Sequence, residues 1–226
     1  MSTWQPIPIH TNGIGNEDPL LRPTSITCPV YNQVVKEQNA ALISEINERN
    51  ADLFIKLANY SGMQAVNFKN VKKLYDIDKE MFHNLEQPKW VNEIYNGTRI
   101  IDHIRELKRI TRISEFNSKE KSRLRGGLLL NEWIERIKDA SIDVRKNTTK
   151  RLKAVFYSSH EGTVTALSYA MGVSNNQLIP YAAMLVAELH RNGTKEIVQA
   201  CNKSSTFPKV VTFVLVLLRY GYKNIV

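Results

Sequence analysis

Apolar and polar positions divide the chain into three textures. Residues 1–30 carry no helical period. Pro6, Pro8, Pro19, Pro23 and Pro29, with Gly13 and Gly15, punctuate them, and they read as a strand end followed by a long loop. From Val34 to Tyr60 the pattern becomes helical. Val35, Leu42, Ile46, Leu53 and Leu57 recur at helical spacing on one face, and Ser61-Gly62 stops the run. Val66 to Tyr75 predicts a shorter helix. Beyond the break at Pro88, Val91 to Ile113 predicts another, with Ile94, Ile101, Ile104 and Leu107 inward. Lys119 to Ala140 predicts a third long helix on a stripe of Leu124, Leu128, Ile134 and Ile137. Gly126-Gly127 inside it costs about 1 kcal/mol each against alanine, so close approach of another backbone is expected there.

After the polar stretch Ser141 to Lys150 the texture changes again. Leu152 to Tyr157 has strand character, Ser158 to Gly162 is small and polar, and Thr163 to Met171 is helical through Val164, Leu167 and Met171. Ala182 to His190 reads as a further strand. Strand, turn, helix, strand is the element order of an α/β core, so an α/β class is expected. Val210 to Leu218 is apolar between Lys209 and Arg219, but a helix needs about 20 residues to cross a bilayer. This segment reads as a buried strand or a tail.

Composition narrows the function classes modestly. The 226 residues carry a net charge of +9, spread along the chain, which fits either a generally basic surface or an anionic ligand. No zinc spacing or RNA-binding motif points to nucleic acid. Cys28 and Cys201 are too few for a disulfide framework, whether free or paired. Sequons at Asn59, Asn96, Asn147, Asn192 and Asn202 point to a secretory history, yet Met1 is not followed by a signal peptide pattern.

The chemistry concentrates at His160-Glu161, between a predicted strand and a predicted helix. Free amides and the helix dipole at such a turn favour an anion. An imidazolium can bind a phosphate oxygen, and a neighbouring carboxylic acid can protonate a leaving alkoxide. On these two residues alone, a hydrogen-bonded surface pair is the stronger reading.

The flanking residues decide between the two. Leu-Lys-Ala-Val-Phe-Tyr-Ser-Ser-His-Glu-Gly-Thr-Val-Thr-Ala-Leu (152–167) resembles the strand-loop-helix of the histidine acid phosphatases, usually Tyr-Ser-x-His-Asp-x-Thr. Pro180-Tyr181-Ala182 and Glu188-Leu189 follow at the distance seen in the prostatic and lysosomal branch. Trp4-Gln5-Pro6-Ile7-Pro8-Ile9-His10-Thr11 is similar to a block in the middle of that family. Glu120-Lys121-Ser122-Arg123-Leu124 with Gly126-Gly127 and Asn131-Glu132 is similar to its long core helix. Together these motifs cover roughly residues 1–195.

The resemblance implies a partial phosphoglycerate-mutase-like three-layer α/β core with an inserted helical cap. Residues 1–30 would be a core strand end and loop, 31–117 the cap, 118–195 the later core, and 196–226 a divergent tail. It implies phosphate-monoester hydrolysis through a phosphohistidine. His160 would be the phosphate ligand, Glu161 the proton donor, and Trp90, on the cap side, either a substrate contact or a cap-core aromatic. No cofactor or metal is implied, and no nucleic acid. The partners would be a phosphate monoester or inorganic phosphate. A homodimer is allowed, and the expected address is secreted or lysosomal.

Three departures stand against the family pattern. No Arg-His-Gly-x-Arg occurs among the five histidines, His10, His83, His103, His160 and His190, so the attacking histidine is expected from sequence before Met1. Glu161 replaces the usual aspartate, an acid of similar ordinary strength. Met184 stands where the family has a half-cystine, and no cysteine lies near Glu80 where its partner would be. The expectation is an incomplete, inactive or weakly active form, with a non-catalytic phosphate- or partner-binding protein as the alternative.

Overall fold

A computed structural model of the chain describes residues 9–11, 13, 15–145, 154–192, 195–204 and 213–221. Trp4 to Pro8, the sequon at Asn147, and Leu152-Lys153 lie outside them. Two compact units divide the chain, one of 28–124 with 168–179 and one of 1–27, 125–167 and 180–226.

The first unit is mainly helical. The single helix predicted over Val34 to Tyr60 is three: α1 (Pro29–Gln38), α2 (Ala40–Arg49) and α3 (Ala51–Ser61). Asn39 and Asn50 interrupt it. Buried Asn39 donates from Nδ2 to the Ser114 carbonyl at 2.9 Å and accepts from Lys121 Nζ at 3.0 Å, a tertiary tie at the junction of α1 and α2. Asn50 Nδ2 donates back to the Ile46 carbonyl at 2.8 Å. Gly62 ends α3 in the left-handed conformation (φ 69°), which supports the predicted stop.

The helix predicted over Val66 to Tyr75 is a 3-10 turn, Val71–Tyr75, running into α4 (Asp76–Phe82). The one predicted over Val91 to Ile113 starts late. A 3-10 turn at Lys89–Asn92 and a hairpin, β1 (Ile94–Tyr95) with β2 (Thr98–Arg99), precede α5 (Ile100–Ser114). Asn96 (φ 47°) and Gly97 (φ 80°) make the two-residue turn that this dipeptide favours. Ile94 is consequently 65% exposed, while Ile101, Ile104 and Leu107 are buried as expected. Ile46, Leu53, Phe54, Leu57, Ile100 and Ile104 lead the core of this unit.

The long helix α6 (Lys119–Arg145) corrects the predicted stripe. Leu124, Leu128 and Ile134 are 36%, 53% and 40% exposed. The buried face instead carries Ser122, Arg125, Gly126, Leu129 and Trp133, at spacings that follow the helical repeat. Polar and small residues hide it from a hydrophobicity count. Lys121, also buried, donates to Asn39 Oδ1 (3.0 Å), the Ser114 carbonyl (2.8 Å) and Asn117 Oδ1 (2.6 Å), and burial lowers its pKa below the ordinary value. Gly126 meets the predicted backbone approach: a Cβ there would lie 2.3 Å from the Ala166 carbonyl oxygen.

The second unit contains a four-stranded mixed sheet. Its strands are β3 (Ala154–Ser159), β4 (Ala183–Asn192), β5 (Lys195–Ser204) and β6 (Phe213–Gly221), in the order β3-β6-β4-β5. β6 runs antiparallel to β3, pairing Ser159 with Phe213, and parallel to β4, pairing Met184 with Val214. Most of β5 and all of β6 come from the segment read as a tail. α7 (Glu161–Ala170) follows β3 with one residue between them. The mixture of helix and strand is the expected α/β class. No helix among the described residues is long and apolar enough to cross a membrane.

Candidate functional site

Ser159 ends β3, His160 bridges, and Glu161 opens α7. The turn forms because the His160 carbonyl accepts from the Thr163 and Val164 amides at 3.0 and 3.2 Å, starting the helix immediately. Thr163, Val164, Ala166 and Leu167 are buried, which anchors the helix. His160 is exposed and Glu161 half-buried. Thr165 Oγ1 lies 2.8 Å from the Glu161 carbonyl and 3.1 Å from Glu161 Oε1, so the carboxyl folds back over its own first turn. That acidic group at the helix N-terminus also suits the dipole.

A second segment is stapled to this tip. The Leu21 carbonyl accepts from Ser159 Oγ at 2.6 Å and from Thr163 Oγ1 at 2.7 Å, one residue either side of the His-Glu-Gly turn. Asp18 Oδ1 accepts from the Leu20 and Leu21 amides at 3.1 and 2.8 Å, shaping the loop. Buried Arg125 donates to the Pro23 carbonyl and, at 2.8 Å, to that of Ile26. Strand tip, helix start and loop are therefore one hydrogen-bonded assembly around an exposed imidazole and a neighbouring carboxyl. Such a group of residues can bind an oxyanion and deliver a proton beside it.

Comparison with known proteins now bears on this tip. The model of the histidine phosphatase superfamily (branch 2) matches residues 6–214. The chain belongs to that family. The match runs further toward the C-terminus than the motifs at 1–195. The chain is 31% identical to prostatic acid phosphatase of Bos taurus over 211 residues, covering 90% of this chain and 51% of the relative. It is 32% identical to prostatic acid phosphatase of Homo sapiens over 196 residues (83% and 47%), and 31% to lysosomal acid phosphatase of Homo sapiens over 206 (84% and 43%). The chain spans about half the length of the curated relatives it matches.

Within this histidine phosphatase chain, His160 and Glu161 stand together at the tip. Trp90 belongs to the helical unit, where it stacks on Tyr60 with ring centroids 5.3 Å apart and planes 11° from parallel, against that unit's core. Those contacts give Trp90 a packing role. Sequence reasoning missed Ser159, Thr163, Thr165 and Arg125. The hydroxyls flanking the His-Glu pair were visible, but their acceptor, a main-chain carbonyl of Leu21, has no sequence signature. Cys28 is a free thiol that accepts from the Tyr31 amide at 3.4 Å. Among the described residues no group of three or more His, Cys, Asp or Glu could hold a metal ion.

Proposed function

We propose that this chain supplies the phosphate-binding and proton-donating side of a phosphate-monoester hydrolase site. His160 holds a phosphate oxygen as imidazolium. Glu161 gives its proton to the leaving alkoxide as the phosphorus–oxygen bond breaks. The phosphoryl group passes to a histidine nucleophile that is not among the five histidines here. One observation carries the reading: an exposed histidine and a half-buried glutamate, adjacent at a strand tip and opening a helix, in a chain whose family match surrounds them.

The 226 residues alone are therefore expected to bind phosphate and to turn over almost no ester. Removing one member of a coupled catalytic group forfeits nearly all the rate. Purified protein is tested with p-nitrophenyl phosphate at acid pH and, by phosphorus NMR, with inorganic phosphate. Robust turnover would refute the assignment of the nucleophile elsewhere. Phosphate binding insensitive to His160→Ala would refute the site. The same reading carries a secreted or lysosomal address, supported by the names of the relatives and by exposed sequon residues Asn59 and Asn96. Expressed behind a supplied signal sequence, the protein should lose mass on glycosidase treatment.

A further inference from the structure

An open cavity lies in the helical unit, against the stripe of α1 and α2 that repeats as Asn32, Val35, Lys36, Ala40 and Ile43. Lys69 lines it from the segment ahead of the 3-10 turn Val71–Tyr75. That wall is fixed. Phe68, its neighbour, is buried, and the Phe68 amide donates at 2.9 Å to Asn47 Oδ1, one turn beyond Ile43 on α2. The Lys69 amide itself donates to Asn67 Oδ1 at 2.9 Å. The cavity measures about 410 Å³, within the roughly 300–1,000 Å³ usual for small-molecule sites. At about 30 Å³ for each water-sized unit, it takes roughly a dozen heavy atoms.

Val35, Ala40 and Ile43 give the cavity an apolar floor. A lysine beside such a floor lays its methylene stem along it and keeps the ammonium in water. Elsewhere in the unit, Lys56 pairs with Glu93 and Lys72 with Glu115, each at 3.7 Å. Lys36 and Lys69 are exposed and have no such partner among the described residues. Glu37, the acid next to Lys36 in sequence, is engaged by Gln33 Nε2. None of the described lining residues is acidic. An apolar hollow edged by two unneutralised point charges selects a ligand with an apolar body and an anionic head, and no arginine among these residues calls for a planar two-point anion. We infer that this cavity binds a fatty carboxylate of about ten carbons, the size its volume sets, with the chain over Val35, Ala40 and Ile43 and the carboxylate on Lys36 and Lys69.

The test titrates decanoate, below its micellar concentration, into the full chain by calorimetry at neutral pH. Methyl NMR should place the bound chain at Val35 and Ile43. Lys36→Met and Lys69→Met keep the stem and remove the charge, and each should weaken binding about fivefold, the size of one charge contact in water-like surroundings. Decanol, the same chain without the charge, should bind more weakly than decanoate. Ala40→Trp fills the cavity from an exposed position and should abolish binding with melting temperature unchanged. Lys138→Met, a charge control on α6, should bind normally. Decanoate affinity untouched by both lysine variants, matched by decanol, or lowered equally by Lys138→Met would each overturn the inference. Binding that survives Ala40→Trp would put the ligand elsewhere and overturn it too. So would absence of decanoate binding, and a concentration-dependent dimer abolished by Ala40→Trp would then give the cavity to a second copy of the chain.

Discussion

Gly126→Ala tests how the tip is held in place. Alanine at a solvent-facing helix glycine stabilises by about 1 kcal/mol. Here the new methyl would stand 2.3 Å from the Ala166 carbonyl oxygen, 2.6 Å from the Ala166 carbonyl carbon and 3.0 Å from the Leu167 nitrogen. Ordinary contact needs roughly 1 Å more. All three atoms are main chain of α7, so no rotamer change relieves the overlap, and the helix must shift bodily. Overpacking of this kind costs about 1–3 kcal/mol, more when backbone must move. Net of the propensity gain, Gly126→Ala should destabilise by about 2 kcal/mol. Urea unfolding followed by circular dichroism reads this as a lower midpoint at unchanged slope. Ala166→Gly should not rescue it, because the clash is with the carbonyl and not the side chain. Since α7 opens at Glu161, phosphate affinity should fall in parallel. A Gly126→Ala protein more stable than the parent, or one restored by Ala166→Gly, would refute the argument.

Three further outcomes follow from individual residues. Lys121→Met should destabilise by about 3 kcal/mol in the same assay, since it leaves Asn39 Oδ1 and Asn117 Oδ1 without their buried donor. Ala182 enters β4 with φ 57°, a conformation that costs a residue with a Cβ about 1 kcal/mol, so Ala182→Gly should raise the urea midpoint. Acid should loosen the helical unit. Hydrogen bonding from Arg99 holds Asp102, and from Arg109 holds Glu106, below their ordinary values of 3.8 and 4.5. Folded pKa values that are depressed give stability fully present above the unfolded values, lost as pH falls through the folded ones. Urea midpoints should thus decline below about pH 4.5, and Asp102→Asn with Glu106→Gln should flatten that decline.

Legibility in the sequence tracked how far local pattern and tertiary burial agreed. α3, α5 and α7 bury apolar residues at helical spacing, so their cores were visible. α6 was found over Lys119 to Ala140, although it runs on to Arg145 through residues read as a polar link, and it was turned to the wrong face. Its buried stripe is Ser122, Arg125 and Gly126 before it reaches Leu129 and Trp133, and hydrophobicity counts the exposed leucines instead. The β1–β2 hairpin was missed because Ile94 fits the helical period, although Asn96-Gly97 signals a turn. The strand, turn and helix around His160 and Glu161 were legible from flanking residues. The Leu21 carbonyl that staples this turn was not, since only folding brings residue 21 beside residues 159 and 163.

The two roles assigned at the tip can be separated by binding alone, without any turnover. A phosphate ligand and a proton donor respond oppositely to neutralisation. His160→Ala removes a hydrogen-bond donor to the phosphate, so phosphate affinity must fall. Glu161→Gln removes an anion beside the bound phosphate. At about 4 Å in water-like surroundings that repulsion is roughly 1 kcal/mol per unit charge, or about fivefold in affinity. Glutamine keeps the oxygen that accepts from Thr165 Oγ1 at 3.1 Å, so the side chain has no reason to leave its place. At neutral pH, Glu161→Gln should therefore bind phosphate more tightly. Weaker binding in Glu161→Gln would mean that the carboxyl orders the phosphate site itself, and the division of labour between residues 160 and 161 would have to be abandoned.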